Sequence, residues 1–164
     1  MSALITNDVA EFAAALPPMT SVAGLDFGDK TIGVAISDRL RTVATPTDTI
    51  RRKKFTLDAE ALLKLLTSRE VSGIILGLPR NMDGSEGAAA QAARHLGKML
   101  EELSNLTVHM WDERLSTVEA ERAMLQADMS RKKRASRIDK VAAWMILKSF
   151  LDCRSDKNQA DDTL

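Results

Sequence analysis

Asp26 is an acid set inside an otherwise apolar stretch, VAGLDFG over residues 22–28. A carboxylate buried there without a partner would be costly. Two arrangements can satisfy it: hydrogen bonds to the Gly28-Asp29-Lys30 turn that follows, or a cation held rigidly by the sheet. Asp112 and Glu113 follow a second apolar run, LTVHMW over 106–111. That is the strand end at which open α/β sheets gather their ligands. A third acid, Asp139, lies in Ser136-Arg137-Ile138-Asp139, which reads either as a helix-capping arrangement or as a ligand projecting from a first turn. Hard cations such as Mg²⁺ take oxygen ligands and keep several waters. Two of them about 4 Å apart can activate water and stabilise the leaving oxygen of a phosphodiester. Three acids from separate elements suit that chemistry, which needs neither histidine nor cysteine.

A second informative segment is Gly77-Leu78-Pro79-Arg80-Asn81-Met82-Asp83-Gly84-Ser85-Glu86-Gly87. A buried strand runs into a turn-rich loop and then a helix N-terminus, whose free N–H groups can meet a backbone phosphate. The plainer alternative is an ordinary strand-to-helix connection capped by Asp83 or Ser85. Two basic blocks, Arg51-Arg52-Lys53-Lys54 and Arg131-Lys132-Lys133-Arg134 with Arg137 beyond, either meet phosphates or line solvated loops. The formal net charge of zero lends no global support to nucleic-acid binding.

The remaining reactive side chains narrow the options. Cys153 is the only cysteine, which excludes an intramolecular disulfide and any zinc site built on several thiolates. His95 and His109 lack the spacing of a metal pair and read as histidines without a chemical role.

The elements that must position these residues follow from pattern. Two apolar runs, 22–28 and 31–38, joined by a tight turn form a hairpin. A third strand is expected within 42–50 from the period-two recurrence of Val43, Thr45, Thr47 and Thr49. Helical spacing follows from Phe55 to Leu66, then a strand buried on both faces over 71–79. A long Ala-rich helix is expected over Ser85–Leu103, and a buried strand over 106–111. Ser116-Thr117-Val118-Glu119 is a capping box opening a helix to about Met129. A basic linker, 130–135, leads to a buried final helix over Arg137–Cys153. This order predicts a single α/β domain over 21–154, with a mixed sheet and helices on its faces. Residues 1–20 read as an N-terminal extension with a short helix over 5–16, and 155–164 as a polar tail.

The first twenty residues have no basic leader and carry Asp8 and Glu11, which argues against a signal peptide. The longest apolar run, Val141–Leu147, is too short to span a bilayer. A cytoplasmic protein without membrane contact is expected.

Four ordered motifs, GLDFGDKTIGVAISD, GLPRNMDGSEG, DERLSTVEA and IDKVAAWMIL, together resemble the YqgF/RuvX family over roughly Val22–Leu151. The resemblance implies a ribonuclease H-like fold with a five-stranded mixed sheet and helices on both faces. It implies a nuclease that uses Mg²⁺ or Mn²⁺ to hydrolyse phosphodiester bonds, acting in 5′-end maturation of pre-16S ribosomal RNA or on Holliday junctions. By that analogy Asp26, Glu113 and Asp139 are the catalytic, metal-binding acids, and Asp112 can substitute for Glu113. Lys30, Arg80, Asn81 and Asp83 would line the substrate cleft, with Arg114, Ser116 and Thr117 opposite. Arg131, Lys132, Lys133 and Arg134 would form a basic clamp before the last helix. The implied partners are pre-16S rRNA or branched DNA, with ribosomal particles, and the protein would be a monomer or homodimer.

Two alternatives stay open on sequence. Asp-x-Gly followed by a hairpin also resembles the phosphate element of actin-like ATPases, but the chain is too short for their two lobes. A non-catalytic RNA-binding ribosome-assembly or transcription factor would use the basic segments alone. Acids in a phosphate-facing cleft then have no purpose.

Overall fold

A computed structural model describes residues 5–6, 8–113 and 141–153. Its strands are β1 (Ile5–Thr6), β2 (Ser21–Phe27), β3 (Thr31–Ser37), β4 (Ala44–Arg51), β5 (Val71–Leu78) and β6 (Thr107–Asp112). The helices are α1 (Val9–Ala15), α2 (Phe55–Ser68), α3 (Ala88–Leu103) and α4 (141–153). The strand order is β1-β6-β5-β2-β3-β4. The β2–β3 and β3–β4 pairs are antiparallel, while β5 lies parallel between β2 and β6. This is the expected five-stranded mixed sheet, extended by the two residues of β1, which pair in parallel with β6.

Alternation along the strands sends side chains to two separate cores. Ala23 and Leu25 of β2, Ile74 and Leu76 of β5, and Val108 and Met110 of β6 meet Leu62 and Leu66 of α2 and Leu96 and Leu100 of α3. Val22, Ile75 and Trp111 face the other way and pack with Phe12 of α1 and Ile146, Leu147 and Phe150 of α4. The helices therefore cover both faces. On the α1/α4 face the approach is close. A Cβ at Gly24 would stand 2.7 Å from the Ala143 carbonyl oxygen and from Leu147 Cβ, so only hydrogen leaves room for α4.

Residues 5–16, read from sequence as an appendage, do more than precede the domain. Phe12 is fully buried and sits edge-on to Phe150 at 5.4 Å between ring centroids. Asp8 caps α1, accepting from Ala10 N at 2.8 Å and Glu11 N at 3.2 Å. The sequence signal was thin because α1 is only seven residues long and one aromatic carries much of its docking. α3 starts at Ala88, three residues later than its composition suggests, with Gly87 as N-cap. The residues before it are committed to a turn of their own. Among the described residues, no helix is long and apolar enough to cross a membrane.

Candidate active site

β2 turns upward at Asp26 because Phe27 and Gly28 lead into a tight turn, in which Gly28 N donates to Thr31 O at 2.9 Å. Asp26 alternates with Val22 and Gly24 and so lies on the α1/α4 face. β6 ends at Asp112, paired in register with Leu78 of β5, and Glu113 follows immediately. The two strand ends bring the Asp26 and Glu113 carboxyl groups into hydrogen-bond contact. Burial, the neighbouring Asp26 charge, its hydrogen bond and the Asp112 charge together push the Glu113 carboxyl up to about 8.

Gly77 makes this meeting possible. A Cβ on Gly77 would run into Glu113 Oε1 and stand 2.6 Å from Ile146 Cδ1. The bare backbone of β5 is thus the floor on which Glu113 lies. Asp112 takes a different direction. Its Oδ2 faces Arg80 Nη1 at 4.0 Å, and Arg80 Nη2 lies 3.7 Å from Glu86 Oε2. Arg80 Nε is buried without a hydrogen-bond partner. Its guanidinium is therefore held near two carboxylates but tightly bonded to neither.

The loop beyond Arg80 is braced from within. Asn81 N donates to Ser85 O at 2.9 Å, Gly84 N to Asn81 O at 2.9 Å, and Asn81 Nδ2 to Ser85 Oγ at 3.0 Å. Asp83 accepts from Ser85 N at 2.9 Å and from Ser85 Oγ at 2.5 Å. Gly84 has φ 87°, the left-handed conformation that closes the turn. Neither Asp83 nor Ser85 caps α3, and no side chain caps Gly87. Glu86 is clamped by the Arg94 fork at 2.6 and 2.8 Å, and that pairing holds its carboxyl below the usual range. Met82 stands at the tip, 94% exposed.

The sequence-derived candidates thus separate. Asp26 and Glu113 meet, Asp112 pairs with Arg80, and Asn81 and Asp83 shape the loop beside them. Lys30 is exposed in the β2–β3 turn. Asp139, Arg114, Ser116, Thr117, Arg131, Lys132, Lys133 and Arg134 lie outside the described residues. His109 is buried among Phe12, Trp111 and Phe150, and His95 stands edge-on to Phe55 at 4.7 Å. Gly77 and the Glu86–Arg94 clamp were not singled out by sequence reasoning. Glu86 is visible in the GSEG run, but its partner stands eight residues on and nothing marks the pair.

Among the described residues, no three acid, histidine or cysteine side chains are grouped closely enough to enclose a metal ion. Two carboxyl groups do share one small space. Such a pair stays together only by retaining a proton or receiving a cation. The all-oxygen donor set suits a hard divalent ion.

Comparisons with known proteins agree with this layout. The family model for RuvX, described as Holliday junction resolvase, matches residues 20–153. A protein of Ruegeria pomeroyi, named "Putative pre-16S rRNA nuclease", is 60% identical over 149 residues, covering 91% of this chain and 97% of that one. A Paracoccus denitrificans protein of the same name is 58% identical, covering 91% and 94%. Among solved structures, T. thermophilus RuvC in complex with Holliday junction substrate superposes with a TM-score of 0.54 at 12% identity, covering 83% of this chain and 96% of that one. Fowlpox virus resolvase, in complex with Holliday junction DNA, superposes at 0.51 with 14% identity, covering 82% and 98%. These two establish the shared fold.

Proposed function

This chain belongs to the RuvX family and is a nuclease, and from that premise we propose that it cuts the phosphodiester backbone of pre-16S ribosomal RNA at the Asp26–Glu113 pair. The observation that carries the site is that pair, two carboxyl groups in contact at adjoining strand ends, one pushed up to about 8. The RNA substrate is supported by the relatives at 58–60% identity, whose name specifies it.

Asp26 and Glu113 would hold Mg²⁺ or Mn²⁺, with Asp139 as third ligand from the segment just ahead of α4. The ion supplies neutralisation of the phosphoryl charge and activation of the attacking water. The chain's own groups do the rest. Arg80, whose Nη groups lie at ion-pair distance from Asp112 and Glu86 without a tight bond to either, would orient a non-bridging phosphate oxygen. The uncapped first turn of α3 offers N–H groups to the next phosphate. The braced Asn81–Ser85 turn fixes both donors relative to the acids, so little reorganisation is needed when the strand arrives. A cation held here would favour the ionised form of Glu113, whose proton would pass to solvent.

The test is cleavage of an end-labelled pre-16S rRNA fragment and of a four-way DNA junction, with Mg²⁺ or Mn²⁺, by wild type and Asp26→Asn. Cutting of the RNA by wild type that the variant loses supports the reading. Preference for the junction would move the substrate to branched DNA. Inert wild type that still binds RNA would favour an assembly factor instead.

A further inference from the structure

Arg51, Arg52, Lys53 and Lys54 form a run of four cations in the sequence, and in the fold they divide into two kinds. Arg52 turns inward. Its guanidinium lies 4.1 Å over the Phe27 ring and 5.4 Å from that of Phe55. It donates to Gly28 O at 2.9 Å and Asp29 O at 3.2 Å, and its backbone N bonds Lys30 O at 2.9 Å. Lys53 N donates to the buried Asp58 at 2.9 Å. The β4–α2 corner is thereby clipped to the turn that follows Asp26.

Arg51, Lys53 and Lys54 turn outward. Between β4 and α2, Arg51 and Lys53 border a groove of about 490 Å³, floored by Ile50, Leu57 and Ala61 and flanked by Lys64, with Lys54 exposed next in the chain. That volume is in the range of small-ligand sites, roughly 300–1,000 Å³. Asp58 also lines it, but it is buried, with Oδ1 accepting from Lys53 N and Oδ2 facing Arg52 Nε at 3.9 Å. Glu60 is the one exposed acid on the rim. Among the described residues, Arg51, Lys53, Lys54 and Lys64 have no carboxylate partner, as is true also of Lys30, Arg69 and Lys98, but only here do several such cations stand together, whereas Arg39, Arg94 and Lys148 are paired. The groove is lined by three cations and two acids, so it keeps a net positive charge, to which Lys54 beside it adds.

We propose that this groove is a second contact surface for the substrate, a track for the sugar–phosphate backbone of a single RNA strand flanking the cut. The proposal rests on the nuclease reading above. Arg51 pairs with Thr31 and Asp26 with Gly33, so both stand at the same end of the sheet. β4 is two strands from β2, about 10 Å at the usual spacing. Because the two sites lie on opposite faces, a strand passing round the sheet end covers more than this in-sheet spacing and so more than about three phosphates at about 3.4 Å each. The acids face α4 and the groove faces α2, so a strand touching both crosses the β2–β3 turn, where Lys30 is exposed. The apolar floor accepts a base or ribose, and the unpaired cations take the phosphates. Because Arg52 locks the corner to Phe27, the track keeps a fixed register to the cutting site.

The experiment measures binding of fluorescein-labelled single-stranded RNA to Asp26→Asn protein across a salt series, with no turnover to confuse it. In that background Arg51→Gln/Lys53→Gln is compared with Arg69→Gln/Lys98→Gln, which removes the same charge far from the groove. Each lost phosphate contact lowers the log–log salt slope by about 0.7, so the groove variant should lose about 1.4 in slope and about tenfold in affinity near 0.15 M salt. The control should lose neither. RNA truncated at the cut site, so that it cannot reach the groove, should bind both variants alike. A groove variant whose slope and affinity match the control overturns the proposal, as does a defect seen only with ribosomal particles and not with naked RNA. Inert wild type in the metal-dependent cleavage assay would overturn the nuclease reading separately, since the salt series involves no cutting.

Discussion

At the β4–α2 corner, Asp58 is 1% exposed, accepts a hydrogen bond from Lys53 N at 2.9 Å and faces Arg52 Nε at 3.9 Å. At the ends of β2 and β6, Glu113 is half-buried against another acid, Asp26, with Asp112 behind it. Both places draw carboxyl groups into the fold. In the first the chain provides the counter-charge itself, and the residue is part of the framework. In the second the nearest groups are themselves acids, and the pair is held by a proton that Glu113 retains or by a cation from outside. A buried acid is thus read by what neutralises it, and under the proposed function the acid pair is where the cation would enter.

Four variants sharpen or break that contrast. Asp26→Asn should cost a thousandfold or more in cleavage rate, about 4 kcal/mol at the transition state, measured under single turnover on end-labelled RNA. Equal rates for variant and wild type would make the acid pair structural after all. Asp58→Ala should destabilise by about 3 kcal/mol in urea unfolding, because it strands the Arg52 guanidinium with its partner removed. A loss under 0.5 kcal/mol would show that Arg52 is satisfied by Phe27 and the turn carbonyls alone.

Gly77→Ala forces a methyl into the place of the Glu113 carboxyl. A cost of about 1–3 kcal/mol in stability is expected, with cleavage falling more than folding. Unchanged cleavage would mean that Glu113 can work from elsewhere. The smallest effect is on pH. The Glu113 carboxyl titrates near 8 when folded, against an ordinary value of 4.5. The folded protein therefore keeps a proton that the unfolded chain has lost between those values. The stability this confers is complete below about 4.5 and is lost as pH rises through about 8. In chelator, the melting temperature should decline between pH 5 and 8, and Glu113→Gln should flatten that decline. An equal decline in both proteins would remove Glu113 as its source.

Much of the framework was legible because hydrophobic period and turn chemistry are local. The β2–β3 hairpin, the largely apolar β5 and the strand of β6 stand within a residue or two of their expected bounds. Asp26 was legible as a polar interruption of an apolar strand. The choice between Asp112 and Glu113 was not, because both lie at a strand end and only the contact with Asp26 separates them. Gly77 was opaque for a related reason. Its importance is the absence of a side chain facing a residue thirty-six positions away. Arg52 was concealed by its neighbours. In a run of four cations nothing local marks the one that turns inward to stack on Phe27.

The two ends of the sheet have a further consequence. On one side the last strand, β1, is only two residues long. On the other, β4 carries Pro46, which has no N–H to donate, and Asp48 beside a register shift against β3 at Val34/Ala35. Among the described residues, neither margin offers the long, flat, fully hydrogen-bonding rim on which a second copy could zip up into a continuous cross-chain ribbon. Concentrated protein should therefore resist fibrillar aggregation through the same short and interrupted strands that finish the sheet.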